Sequence, residues 1–138
     1  MTTVAVVGAT GAVGRTMLAI LAEREFPADT LRLAASARSA GQTVDTCLGS
    51  VVVEDLDTMD PTGIDIALFS AGGARSKEHA PRFADAGAVV VDNSSAFRMD
   101  PAVPLVVVGV NDGKASGHEG IIANPNCTTM TLMMAAGP

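Results

Sequence analysis

Short apolar runs recur along the chain, separated by polar or glycine-rich breaks. Val4-Ala-Val-Val7, Ala88-Val-Val-Val91, Leu105-Val-Val-Val108 and Gly120-Ile-Ile-Ala123 are too short for helices. They read as strands buried on both faces. Leu31-Arg-Leu-Ala-Ala35 and Ile64-Asp-Ile-Ala-Leu-Phe69 predict two more, and Thr43 to Val53, broken by Gly49, predicts one or two edge strands. Between the runs the period changes. Val13, Met17, Leu18 and Leu21 fall on one helical face, and Phe26-Pro27 stops that helix near Arg24. A second helix is expected over Ala74 to Ala86, kinked or interrupted by Pro81 and ended by Gly87. A third begins around Met130-Thr-Leu-Met-Met134.

Strands alternating with helices predict an α/β fold with a mostly parallel sheet and helices on both faces. In such sheets, ligands bind at the carboxyl ends of the strands. Here the polar or glycine-rich segments beginning at Gly8, Ser36, Ser70, Asn93 and Asn124 all follow predicted strands, so one sheet edge should gather them.

The first break, Gly8-Ala-Thr-Gly11-Ala-Val-Gly14, has glycines spaced by three between a strand and a helix. Gly8 permits the sharp turn, Gly11 lets a phosphate approach the backbone, and Gly14 lets the helix lie close to the sheet. The N–H groups and dipole of the following helix then face an anion. In that context the turn predicts a Rossmann-like dinucleotide-binding domain over residues 1–138.

Composition narrows the classes. A net charge of −6 and only four aromatic residues, all Phe, exclude a basic, base-stacking nucleic-acid surface. No apolar run reaches a membrane span, so no membrane partner is expected. Met1 leads almost directly into the first strand without a charged leader, and Cys47 and Cys127 make no disulfide framework. A soluble cytoplasmic protein is the expectation. No metal-ligand cluster stands out.

Three further segments carry candidate chemistry. The second strand ends without the acid that selects NAD. Ser36, Arg38 and Ser39 stand there instead and suit the 2′-phosphate of NADP. Cys127 follows Asn124-Pro-Asn126 and opens a helix, a position that favours the thiolate. Asn126 could cap that helix or hold a substrate oxygen. Cys47, in a strand-like stretch, reads as a buried structural cysteine. Arg98, in Asp92-Asn-Ser-Ser-Ala-Phe-Arg98, could bind a phosphate or carboxylate or form a surface salt bridge.

These segments, in this order, resemble the N-terminal half of the aspartate-β-semialdehyde dehydrogenases. Val6-Val-Gly-Ala-Thr-Gly-Ala-Val-Gly14, Ser36-Ala-Arg-Ser-Ala-Gly41, Phe69-Ser-Ala-Gly-Gly73, Val91-Asp-Asn-Ser-Ser-Ala-Phe-Arg98 and Asn124-Pro-Asn-Cys-Thr-Thr129 carry the likeness. The related N-acetyl-γ-glutamyl-phosphate reductases typically place glycine where this chain has Asn126. The resemblance implies that Thr10, Gly11, Ala12 and Val13 hold the pyrophosphate, with Arg38 and Ser39 on the 2′-phosphate. It implies that Ser70, Gly72, Gly73 and Asn93 line the nicotinamide side. Arg98 and Asn126 would bind the substrate phosphate, and Cys127 would be the nucleophile. The implied reaction is NADP-dependent reductive dephosphorylation of L-4-aspartyl phosphate, feeding lysine, threonine and methionine synthesis, in a homodimer or homotetramer. The family's second domain, with its general-base histidine and carboxylate-binding arginine, is expected outside these residues, leaving the chain inactive alone. His79 and His118 match no such base and are expected at the surface. The competing readings are a stand-alone NADP-binding or regulatory module and a short-chain reductase. The latter lacks its catalytic tyrosine, since the chain has none.

Overall fold

The computed structural model describes residues 1–137. In chain order the elements are β1 (Thr3–Val7), α1 (Ala12–Glu23), β2 (Thr30–Ala35), β3 (Thr43–Thr46), β4 (Gly49–Asp55) and β5 (Ile66–Phe69). Then follow α2 (Gly73–Asp85), β6 (Val89–Asp92), a 3₁₀ turn (Asp112–Gly117), β7 (Ile121–Ala123) and α3 (Cys127–Ala136). The strands form one seven-stranded sheet in the order β3-β4-β2-β1-β5-β6-β7. All pairings are parallel except β3 with β4. Chain order reverses beside β1, which pairs with β2 on one side and β5 on the other. That reversal opens a crevice at the strands' carboxyl ends.

Alternation along β1 divides the core. Val4 and Val6 pack with Leu18 of α1 and Leu33 on one face. Ala5 and Val7 pack on the other with Phe69, Ala80 and Phe83, the last two from α2. Phe69 and Phe83 meet edge to face, centroids 5.1 Å apart. The expected sheet with helices on both faces is therefore present. Arg32 adds a bond across the sheet, donating from Nε and Nη2 to the two Glu54 carboxylate oxygens at 2.9 and 2.8 Å.

Three local expectations need correction. Leu105 to Val108 is not a strand, because only Leu105 bridges to Ala123. The Asn111 side chain accepts from Val107 N and donates to Leu105 O, which bends the run into a turn. Pro81 does not interrupt α2, which continues to Asp85. Val13, assigned to the buried face of α1, is 45% exposed. In the first turn of α1 it is the neighbouring Gly14 that is buried against the end of β1.

Candidate active site

All five polar segments follow strands that run parallel, so they emerge on the same sheet edge. At its centre is the glycine turn. Gly8 has φ +88°, and a Cβ there would collide with the Ser70 carbonyl; a Cβ on Gly14 would collide with Gly8 O. Side chains are thus excluded where the first turn of α1 meets the ends of β1 and β5. Gly11 caps α1 with no side-chain hydrogen bond, and no acidic residue lies in that first turn. The N–H groups there are left for an external anion. A cleft of about 230 Å³ opens over this turn, lined by Gly8, Thr10, Gly11, Ser36, Ser70 and Arg75 among others. Glycines no side chain can replace, with an uncapped helix N-terminus, fit a dinucleotide pyrophosphate.

Past β2, the Ser36 carbonyl accepts from Ser39 N and Ala40 N, forming a turn that carries Arg38 outward. Arg38 is exposed, and among the described residues it makes no ion pair. Past β5, Gly72 takes φ +86° and caps α2, again with no side-chain bond. Ser70, Gly72 and Gly73 are therefore consecutive with a second uncapped helix start.

A polar network joins the next two strand ends. Asp92, the last residue of β6, is fully buried. Its Oδ1 accepts from Ser76 Oγ at 2.8 Å and Ser94 N at 3.1 Å, and its Oδ2 accepts from Ser94 Oγ at 2.6 Å. These bonds tie α2 to the loop carrying Asn93. Asn124 Nδ2 donates to Asn93 Oδ1 at 2.8 Å. Arg98 then straddles both loops, donating from Nε to Asn124 O and from Nη2 to Asn93 O. The salt bridge offered as an alternative for Arg98 is not formed; among the described residues no carboxylate pairs with it. Its charge is fixed in place yet uncompensated.

Cys127 is the first residue of α3, exposed, immediately after Asn126. Asn126 Oδ1 accepts from Thr128 N at 2.9 Å and Thr129 N at 3.4 Å, so the carbonyl end of its amide is used as the cap. The Nδ2 end has no partner among the described residues and can still donate to a substrate oxygen. From β1 to β7 is three strand intervals, about 14 Å at ordinary spacing. The glycine turn and Cys127 thus stand a dinucleotide's reach apart along one edge.

Two expectations fail here. Cys47 is not buried: it is exposed in the tight turn between β3 and β4. That turn precedes β4, at the sheet edge opposite the cleft. His79 is not a surface residue but 5% exposed, because Ser76, His79, Ala80 and Phe83 form the inward stripe of α2. His118 is half-buried and accepts from Gly120 N through Nδ1. Sequence reasoning passed over Arg75 and Asp92. Asp92 had one available signal, a carboxylate closing an otherwise apolar strand.

The sheet order and glycine turn define a dinucleotide-binding domain, with an exposed cysteine opening a helix at its edge. The chain belongs to the semialdehyde dehydrogenase family, whose NAD-binding domain model matches residues 3–118. It is 56% identical to an aspartate-semialdehyde dehydrogenase of Corynebacterium glutamicum over all of this chain and 41% of that protein. Among solved structures, aspartate semialdehyde dehydrogenase II from Vibrio cholerae complexed with ASA superposes with TM-score 0.95 at 49% identity. The match covers 99% of this chain and 45% of that one. An aspartate semialdehyde dehydrogenase with NADP from Candida albicans gives TM-score 0.78 at 26% identity, covering all of this chain and 46% of the other. The chain thus spans about 40% of the length of the curated relatives it matches.

Proposed function

We propose that this chain is the cofactor-binding, cysteine-bearing part of an NADP-dependent aspartate-semialdehyde dehydrogenase. The observation that carries the reading is the shared edge. An uncapped, glycine-built anion cradle lies at one end, Cys127 at the other, and Arg98 is fixed between the Asn93 and Asn124 loops.

In this reading Thr10, Gly11, Ala12 and Val13 hold the pyrophosphate, and Ser36, Arg38 and Ser39 hold the 2′-phosphate. Ser70, Gly72, Gly73 and Asn93 line the nicotinamide side. The absence of an acid after β2 favours NADP over NAD, and the Candida relative is described with NADP. Cys127 Sγ bonds to the acyl carbon of L-4-aspartyl phosphate as the carbon–oxygen bond to phosphate breaks, giving a thioester and free phosphate. Arg98 and the Asn126 Nδ2 hold the phosphate as it leaves. NADPH, when bound, supplies the hydride that reduces the thioester. Collapse of the thiohemiacetal frees Sγ and yields aspartate 4-semialdehyde. The substrate belongs to lysine, threonine and methionine biosynthesis, and the assembly is a homodimer or homotetramer. The setting is the cytoplasm, where the exposed thiols of Cys47 and Cys127 stay reduced. No helix among the described residues is long and apolar enough to cross a membrane.

The test is a chimera in which this chain replaces the matching part of the Corynebacterium relative. With aspartate semialdehyde, phosphate and NADP, it should produce NADPH, and Cys127→Ser should remove nearly all turnover while NADP binding persists. A Cys127→Ser chimera that turns over like its parent would refute the assignment. The chain alone should show negligible turnover.

A further inference from the structure

Arg75 lines the cleft although neither the glycine turn nor a strand end puts it there. It stands in the first turn of α2. Its Nη2 donates to Asp57 Oδ1 at 2.7 Å, just beyond β4. One turn further along α2, His79 Nε2 lies 3.1 Å from the same oxygen, misaligned for a hydrogen bond. Arg82 Nη2 donates to the carbonyl of Leu56. Helix α2 therefore grips the loop after β4 at successive turns. Leu56, fully buried, becomes a wall of the cleft together with Ala35 and Ala71.

The position within the cleft assigns a ligand group. With the pyrophosphate over α1 and the ribose at the end of β2, the attached base would lie against Ala35, at the end of β2, and Leu56, just after β4, which wall the cleft there. The cleft combines the apolar Ala35, Leu56 and Ala71 with Arg75, the one charged residue of its lining. The guanidinium already faces a carboxylate, so little charge remains to neutralise a phosphate. What it still presents is a flat, weakly hydrated guanidinium, its Nε buried without a partner among the described residues, on a side chain about one-third exposed. We propose that Arg75 is an adenine-stacking residue, its guanidinium plane held against the purine by Asp57, which acts as a positioning residue. This rests on the dinucleotide reading above.

The experiment is calorimetric titration of the chain and its Arg75→Met and Arg75→Lys variants with NADP, NAD and 2′,5′-ADP. Thermal melts confirm that each variant is folded. Stacking on a purine contributes enough that its loss should weaken all three ligands by the same factor, roughly tenfold. Lysine should behave like methionine, because it keeps the charge without the plane. Arg38→Ala, by contrast, should weaken NADP and 2′,5′-ADP and spare NAD. Asp57→Asn should weaken all three, by less than Arg75→Met. Unchanged affinities in Arg75→Met, loss confined to the 2′-phosphorylated ligands, or full rescue by lysine would each overturn the stacking role and leave the cofactor reading intact. If the unmodified chain binds none of the three, the cofactor reading itself fails, and this one with it.

Discussion

Gly8 meets two requirements at once: a positive φ and a backbone packed against Ser70. No other residue satisfies both. Gly8→Ala should therefore cost at least about 2 kcal/mol, read by urea denaturation. Arg38 sits at the other extreme, exposed and without an ion pair among the described residues, and the proposed reading gives it a ligand rather than a part in the fold. Arg38→Ala should leave the melting temperature unchanged while removing most of the NADP preference, roughly 1–3 kcal/mol for a charge-assisted contact. Calorimetry checks it, and equal affinity of the unmodified chain for NAD and NADP would contradict it. Residues of both kinds were legible because their signals are local: a glycine spacing and a missing acid. Arg75 and Asp92 were not. Their meaning comes from partners 18 and 16 positions away, Asp57 and Ser76, which only folding brings near.

Elements were legible where the hydrophobic pattern had one available partner. The apolar runs of β1, β6 and β7 are strands of a covered sheet, as their pattern suggests. Leu105 to Val108 carries the same pattern, but Asn111 diverts its backbone bonds, an interaction that no periodicity encodes. His79 was misplaced because its neighbours Glu78 and Lys77 look solvated, whereas the stripe through Ser76 and Phe83 is what packs. Helix α3 has no buried residue, so its start depends on the Asn126 cap. Asn126→Ala should cost α3 about 1 kcal/mol, visible as faster amide exchange at Thr128 and Thr129. The turn into β5 adds a small pH dependence. Thr62 N and Oγ1 both donate to Asp60 and hold its carboxyl below the usual range. The stability from this turn is present above the unfolded carboxylate value and lost as pH falls through the lowered one. Thr62→Ala should flatten that part of the acid-unfolding curve.

The whole molecule combines a well-buried parallel sheet with a poorly covered end. Leu132 and Met134, on two flanks of α3, are 64% and 63% exposed, and Val108, beside Met134, 65%. Exposed apolar surface of this kind favours association, so the chain should self-associate in sedimentation as concentration rises. Leu132→Glu with Met134→Glu should shift it toward monomer, and an unaltered distribution would count against that face. Cofactor and nucleophile must meet for the chemistry proposed, and only Cys127 shares the cleft's edge. Cys47, also exposed, lies at the opposite edge and serves as an internal control. Brief iodoacetamide treatment followed by peptide mapping, with and without NADP, reads this directly. Cys127, at a helix start, should label faster than Cys47 near neutral pH, and NADP should change the rate at Cys127 alone. Preferential labelling of Cys47, or a Cys127 rate indifferent to bound NADP, would contradict the account.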